Sequence, residues 1–381
     1  MSAVTSHVRG KETCRITNHS PDQVAVADRW ESRISSGPPH CDRYLEIVVF
    51  HHSLQAVFDK GGPQFSVLLT TYDNSKVPLF YGGCAYIPEE DELFITSNLL
   101  APSNPNHLAH VLISRVKLFR DNNGQVQSVA HWKLRTPGEM GMPGGAVGHK
   151  IPNSAQSVVT YCSQGDFVTP SGLFQNVPGR PPKRLVTSWC GTKFGSVFSV
   201  AVHTTVEGHE AYWFVDAGSR GYEAGFRERP MLPAAVWRYY PFSGDLRMMT
   251  DDVTSPWGIA ISPDGATLYV TDSNPVRDDS GRVKWDMTAG VYAFDVITRS
   301  GAPFLTGKRL FARPAQGRPR GILCDERGNV FAGCGDGVEI WNPGGTLLGV
   351  ITAPAPVTSI GWGKKGELFI CDELTLWRFS W

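Results

Sequence analysis

One phrase recurs six times in this chain: a glycine-containing strand, a turn, then a second strand that ends on a small or acidic residue. The clearest copy is WGIAISPDGATLYVTDSN, residues 257–274. Its centre, Ser262-Pro263-Asp264-Gly265, is a turn in which proline sets φ and glycine takes the left-handed position. The flanking runs IAI and LYVTD are β-rich, so the unit reads as a hairpin. The other copies begin at Gly82, Gly144, Phe198, Arg320 and Thr358. Each is followed by another hairpin signal, such as GVYAFDV (290–296), VEIWNPGGTLLGVI (338–351) or the terminal LWRFSW. The six heads lie mostly 54–63 residues apart and once 38. Long-period self-similarity of paired hairpins predicts an all-β fold, a six-bladed β-propeller with four-stranded antiparallel blades.

Composition agrees. The 40 Gly, 27 Pro, 11 Trp and 19 Phe favour short strands and tight turns. Residues 1–40 are polar and unpatterned, which predicts a loosely structured arm or an edge wrap; residues 41–381 form the single propeller domain. RYLEIVVFHHSLQAVF (43–58) and FSVLLTTY (65–72) are expected to close the ring with the last blade, because closure removes exposed sheet edges. The 36 basic and 36 acidic side chains cancel, so neither nucleic acid nor an anionic membrane is an expected partner. No stretch approaches 18 apolar residues, which argues against a transmembrane helix. The first residues lack an apolar signal core. The eight cysteines show no CxxC pair, and most sit in apolar strand-like runs where they read as buried free thiols. A cytoplasmic location follows as the expectation, with the Asn18-His19-Ser20 glycosylation pattern unused.

In a propeller the first strand of each blade lines the central channel, and the six heads converge at one mouth. The heads are Gly82, Gly144, Phe198, Trp257, Arg320 and Thr358, with Ser199 beside Phe198 and with Tyr81 and Met142 flanking two of them. Two aromatic rings, a phenol and a guanidinium suit a largely apolar, conjugated small molecule bearing one or two oxygens. The competing reading is that Trp257 and Phe198 simply plug the channel. Asp216 and Asp272 end second strands, where aspartate ordinarily accepts from turn amides. His149, His203 and His209 fall near turns and read as surface residues. No GxSxG, GxGxxG or Walker A motif is present.

The stretches YIPEEDELFITSN, CSQGDFVTPSGLF, SPWGIAISPDGATLYVTDS and GNVFAGCGDGVEIWNPGGTLLG, in this order and spacing over residues 45–381, resemble the SMP-30/gluconolactonase family, its fungal lactonohydrolase branch in particular. That resemblance implies a calcium or zinc ion held by a Glu, two Asn and an Asp at four heads. Here those positions read Gly82, Phe198, Trp257 and Arg320, so no metal and no cofactor are expected. The chain is similar in kind to the β-propeller hetero-Diels–Alderases of fungal tropolone–sesquiterpene pathways. What that likeness implies is a metal-free cycloaddition joining a polyketide-derived tropolone quinone methide to a humulene-type sesquiterpene alkene. Arg320 would polarise the heterodiene and Trp257 and Phe198 would stack on it, with Gly82, Gly144, Met142, Ser199 and Thr358 around the substrate. Asp272, Asp216 or Tyr81 would supply the acid for dehydration. Two other readings stay open: a lactone or ester hydrolase with a different site, and a non-catalytic binder of an apolar metabolite.

Overall fold

A computed structural model describes residues 4–18, 45–58, 62–73, 75–102, 107–273 and 289–381. The sequence repeat becomes six antiparallel sheets, each built of strands that follow one another outward from the axis. The first four blades begin with the inner strands Cys84–Ile87, Pro143–Lys150, Val197–Thr204 and Pro256–Ile261. The fifth and sixth begin with Ile322–Cys324 and Ser359–Trp362. The turn at 262–265 forms as its residues dictate. Gly265 takes φ +70° and donates to the Ser262 carbonyl at 2.9 Å, while the Ser262 hydroxyl donates to Asp264 at 2.5 Å.

The last blade closes the ring with a strand from the other end of the chain. Gln64–Thr70 pairs with Thr375–Ser380, bringing Phe65 opposite Phe379 and Leu69 opposite Leu376. The segment 43–58 behaves differently from the expectation. Its strand, Glu46–Val49, adds to Leu347–Thr352 at the outer edge of the fifth blade, and a single helical turn, Leu54–Val57, follows. All four residues of that strand are buried, so it caps the fifth blade as a fifth strand.

The arm forms three short strands on three successive outer edges. Val4–His7 pairs with Val126–Arg135 of the first blade, Arg9–Thr13 with Gln64–Thr70 of the last, and Arg15–Asn18 in parallel with Glu46–Val49 of the fifth. Each covers a row of backbone groups that would otherwise form an open edge. Residues 1–3 and 19–40, with most of the Asn18-His19-Ser20 pattern, lie outside the described residues.

Between the blades the core is aromatic and aliphatic, with Trp237, Trp341 and Trp377 fully buried. A charged seam ties the first blade to the last. The Arg120 guanidinium donates to both oxygens of Asp91 (2.6 and 3.0 Å) and both of Glu367 (2.9 and 2.8 Å). Arg378 pairs with the same Glu367.

Candidate functional site

At the mouth, backbone and side chains interlock between adjacent heads. Gly83 donates its N–H to the Gly144 carbonyl at 2.9 Å. The Thr96 hydroxyl donates to that carbonyl at 2.5 Å, and Thr271 repeats the pattern on the Arg320 carbonyl at 2.7 Å. Packing here leaves no space for side chains at two heads. A Cβ at Gly82 would fall 2.0 Å from Thr96 Oγ1 and 2.5 Å from the Gly144 oxygen; one at Gly144 would fall 2.8 Å from the Phe198 ring. Glycine at the second head is therefore what lets the phenyl of the third lie across it. The ladder register shifts at the heads of three blades, between Pro143 and Ala146, Val197 and Ser199, and Pro256 and Ile259, and such bulges re-aim side chains.

Phe198 and Trp257 meet edge to face with centroids 4.6 Å apart, and Tyr81 stands edge-on to Trp257 at 5.6 Å. With Ala217 they make a small apolar cluster. Arg320 lies over this cluster, its guanidinium carbon 4.8 Å from the Trp257 centroid and 5.6 Å from that of Tyr81. Its Nη1 is buried without a hydrogen-bond partner; the nearest carboxylate oxygen, on Glu373, is 3.7 Å away.

A second guanidinium comes from a place the repeat pattern does not reach. Arg220 sits on the loop after the second strand of the third blade, in the one-turn helix Arg220–Glu223. Its guanidinium carbon is 4.1 Å from the Phe198 centroid and 4.0 Å from that of Trp257. Burial, foremost, pushes its proton affinity down; Tyr81 opposes this by charge and hydrogen bond, and the neighbouring Arg320 adds to it. Two positive charges thus face one indole. Stacking on rings is favourable for weakly hydrated guanidinium groups.

Above the rings is a cavity of about 310 Å³ lined by Tyr81, Ser97, Gly144, Phe198, Arg220 and Phe226, among others. Below them the axial channel holds about 260 Å³. Phe198 borders both, so its ring stands between the two spaces. Both sequence readings of the aromatic heads therefore describe part of this geometry: the rings fill the axis, and one of them also faces an open cavity.

The remaining sequence candidates separate by position. Ser199 and Thr358 border the channel below the rings, and the Thr358 hydroxyl donates to the Cys371 carbonyl at 3.2 Å. Met142 is buried against Val111 and Phe226 and backs the cavity wall. Asp272 accepts the Thr254 and Ser255 N–H groups at 2.8 and 2.9 Å. Asp216 accepts those of Gly195, Ser196 and Gly218, and burial raises it to about 6. His149 is not a surface residue. Its side chain is 11% exposed, 2.9 Å from both Thr160 Oγ1 and Glu210 Oε1, and forms a lock between the second and third blades.

The residues at the mouth do not fit a divalent cation. Such an ion wants a shell of oxygens with carboxylate charge among them. Here the six heads offer two glycines, two rings, a guanidinium and the Thr358 hydroxyl, which donates to the Cys371 carbonyl, with a second guanidinium alongside. Among the described residues no three His, Cys, Asp or Glu side chains gather in one place.

Residues 211–372 match the family described as SMP-30/Gluconolactonase/LRE-like region. Lactonohydrolase oryH of Aspergillus oryzae is 33% identical over 154 residues, 37% of this chain and 32% of that protein. A gluconolactonase of Zymomonas mobilis is 32% identical over 138 residues, 35% of this chain and 37% of that protein. The chain thus spans about a third of the length of the curated relatives it matches. Among solved structures, the gluconolactonase XC5397 of Xanthomonas campestris superposes with a TM-score of 0.63 at 22% identity, covering 90% of this chain and 96% of that one. That likeness is one of fold.

Proposed function

We propose that this SMP-30/gluconolactonase-like propeller is an enzyme that polarises an oxygen of a planar conjugated substrate, and that its reaction is a hetero-Diels–Alder cycloaddition. One observation carries the reading: two guanidinium groups face the same indole, and one of them holds a buried N–H donor with no hydrogen-bond partner, its nearest carboxylate oxygen standing off at 3.7 Å. A buried donor without a hydrogen bond costs stability, and here it stands beside the stacked rings, where a substrate oxygen would satisfy it. In a quinone-methide heterodiene the carbonyl oxygen gains negative charge as the exocyclic carbon bonds to the alkene, ahead of the C–O bond that closes the ring. A donor already in place for that charge stabilises the transition state more than the ground state.

Cycloaddition makes two bonds in one step and asks the protein for orientation and polarisation alone. The cavity matches that demand. Its described lining contains no His, Cys or Lys, while Tyr81 and Phe198 present flat faces on which a conjugated ring stacks. Holding diene and alkene at attack distance removes much of the entropic barrier. The substrates of this reading are a tropolone-type quinone methide and a humulene-type alkene, and its product is a dihydropyran.

A second reading has its own support. The curated relatives are named lactonohydrolase and gluconolactonase, and the same donors would polarise a lactone carbonyl. One experiment separates the two. Purified protein is incubated with a hydroxymethyl tropolone and a humulene-type alkene, with and without EDTA, and the product is resolved by chiral chromatography. A stereochemically biased dihydropyran formed faster than in the blank, and unaffected by EDTA, is the expected result. A racemic product at the blank rate sinks the cycloaddition. Hydrolysis of a sugar or aryl lactone under the same conditions moves the assignment to the second reading.

A further inference from the structure

We propose that Glu373 is the proton carrier of the mouth, taking a proton from the substrate's ring hydroxyl and delivering it to the departing one. This role rests on the cycloaddition reading and names the residue that prepares its diene. The strand-end aspartates do not offer themselves for it. In the third and fourth blades the second strand ends on an aspartate, in the sixth an aspartate directly follows it, and the turn engages the oxygens of all three. Asp216 accepts three backbone N–H groups and Asp272 two, while Asp372 accepts the Thr375 N–H at 2.7 Å and the Trp377 indole N–H at 2.9 Å.

The residue after each aspartate faces the mouth. In the third blade it is Ala217, packed on Phe198 and Trp257. In the fourth it is Ser273, whose hydroxyl donates to the Pro319 carbonyl at 2.6 Å. In the sixth it is Glu373. Its backbone sits at φ +72°, a left-handed conformation unusual for glutamate and often found at functional sites. Backbone bonds with Phe80 in both directions (2.9 and 3.0 Å) pin it beside Tyr81. Its carboxylate is about one-third exposed, and Arg320 is the partner it faces, at 3.7 Å. Glu223 lines the cavity beside Arg220 and accepts the Ser219 hydroxyl, whereas the carboxylate of Glu373 is the one that faces Arg320.

The step balances within the substrate. A ring bearing adjacent hydroxyl and hydroxymethyl groups loses its ring O–H proton to the Glu373 carboxylate. The oxygen's electron pair forms the new ring carbonyl, an exocyclic C=C forms, and the C–O bond to the hydroxymethyl oxygen breaks. That oxygen takes the proton from the Glu373 carboxyl and leaves as water. Arg320 stabilises the ring oxyanion in between. Carboxylate and guanidinium on one oxygen divide the work between proton transfer and charge stabilisation.

The test uses Glu373→Gln, which keeps the shape, and Glu373→Gly, which suits the left-handed backbone. Two substrates are compared at equal alkene: the hydroxymethyl ring, and the same ring carrying an acetoxymethyl group that leaves without protonation. Both variants are expected to lose about 10²-fold or more in turnover of the first, the usual worth of a positioned acid–base. Turnover of the second falls markedly less, because its ring hydroxyl still gives up a proton while its acetoxy group leaves without one, and the hydroxymethyl pH–rate profile flattens. Equal turnover of the hydroxymethyl substrate by native protein and variants overturns the role. So does equal loss on both substrates, which marks a support for Arg320 only. If the native protein forms no adduct from either substrate, the cycloaddition reading itself fails and this role goes with it.

Discussion

Arg120 and Arg320 both lie where the last blade meets its neighbours, and they differ in what they face. Arg120 is 9% exposed, with both oxygens of Asp91 and of Glu367 around its guanidinium. Arg320 is 25% exposed and faces rings, with its one carboxylate held off at 3.7 Å. One arginine is saturated and closes the ring; the other keeps a donor in hand. The difference teaches that a cation's role is set by how many of its donors the fold has already used.

The comparison is broken most sharply by removing the saturated member. Arg120→Leu leaves two carboxylates at the seam without their shared partner, and should cost about 3–5 kcal/mol by urea denaturation at neutral pH. A loss near that of an ordinary surface change would show the seam to be idle. Acid sharpens the same point. Burial alone would raise Asp91 and Glu367, but the bonds and charge of Arg120 outweigh it, with Arg378 and Lys364 assisting, and both sit below their ordinary values. Their contribution is therefore full above the unfolded-state values near 4 and is lost as pH falls through the lower folded values. Melting temperature should decline as pH drops below about 4 in the native protein, and the variant should lack that part of the decline.

Next in size is the unsaturated member. Arg320→Ala should lower turnover by roughly 10²–10³-fold, with a stability cost no larger than the about 0.5–2 kcal/mol of a guanidinium stacked on rings. Undiminished product formation by a folded variant takes Arg320 out of the mechanism. Gly82→Ala tests the packing beneath it: a Cβ 2.0 Å from Thr96 Oγ1 should cost about 1–3 kcal/mol, read as a shift in urea midpoint. The smallest effect belongs to Arg220→Gln. Losing a guanidinium stacked on two rings should cost about 0.5–2 kcal/mol of stability or substrate affinity, measured by denaturation and by titration with a non-reactive tropolone.

Much of this was written in local patterns. The turn at 262–265 and the spaced heads encode hairpins and their repetition, because φ preferences and apolar alternation act over a few residues. Tyr81, Phe198, Trp257 and Arg320 could be named together since the first strand of every blade begins at the same mouth. Arg220 could not. It rides a loop whose path depends on how the third blade packs, and its one signal was a basic residue in the SRGYEAGFRERP stretch. Glu373 ended a recognised unit, yet its availability depends on Asp372 absorbing the turn's N–H donors. His149 looked like a turn residue until two blades enclosed it.

By itself, then, the amino-acid order determined the number of blades and the identity of the heads, with rings and a guanidinium among them. Those properties follow from backbone preference and residue chemistry, which neighbours in sequence already decide. Tertiary structure alone decided which strand caps which edge, that the phenyl of Phe198 lies across Gly144, and that a loop arginine completes the cationic pair. Such outcomes turn on steric fit and desolvation between segments far apart in the chain, where an ångström of displacement determines whether a donor is spent or left free.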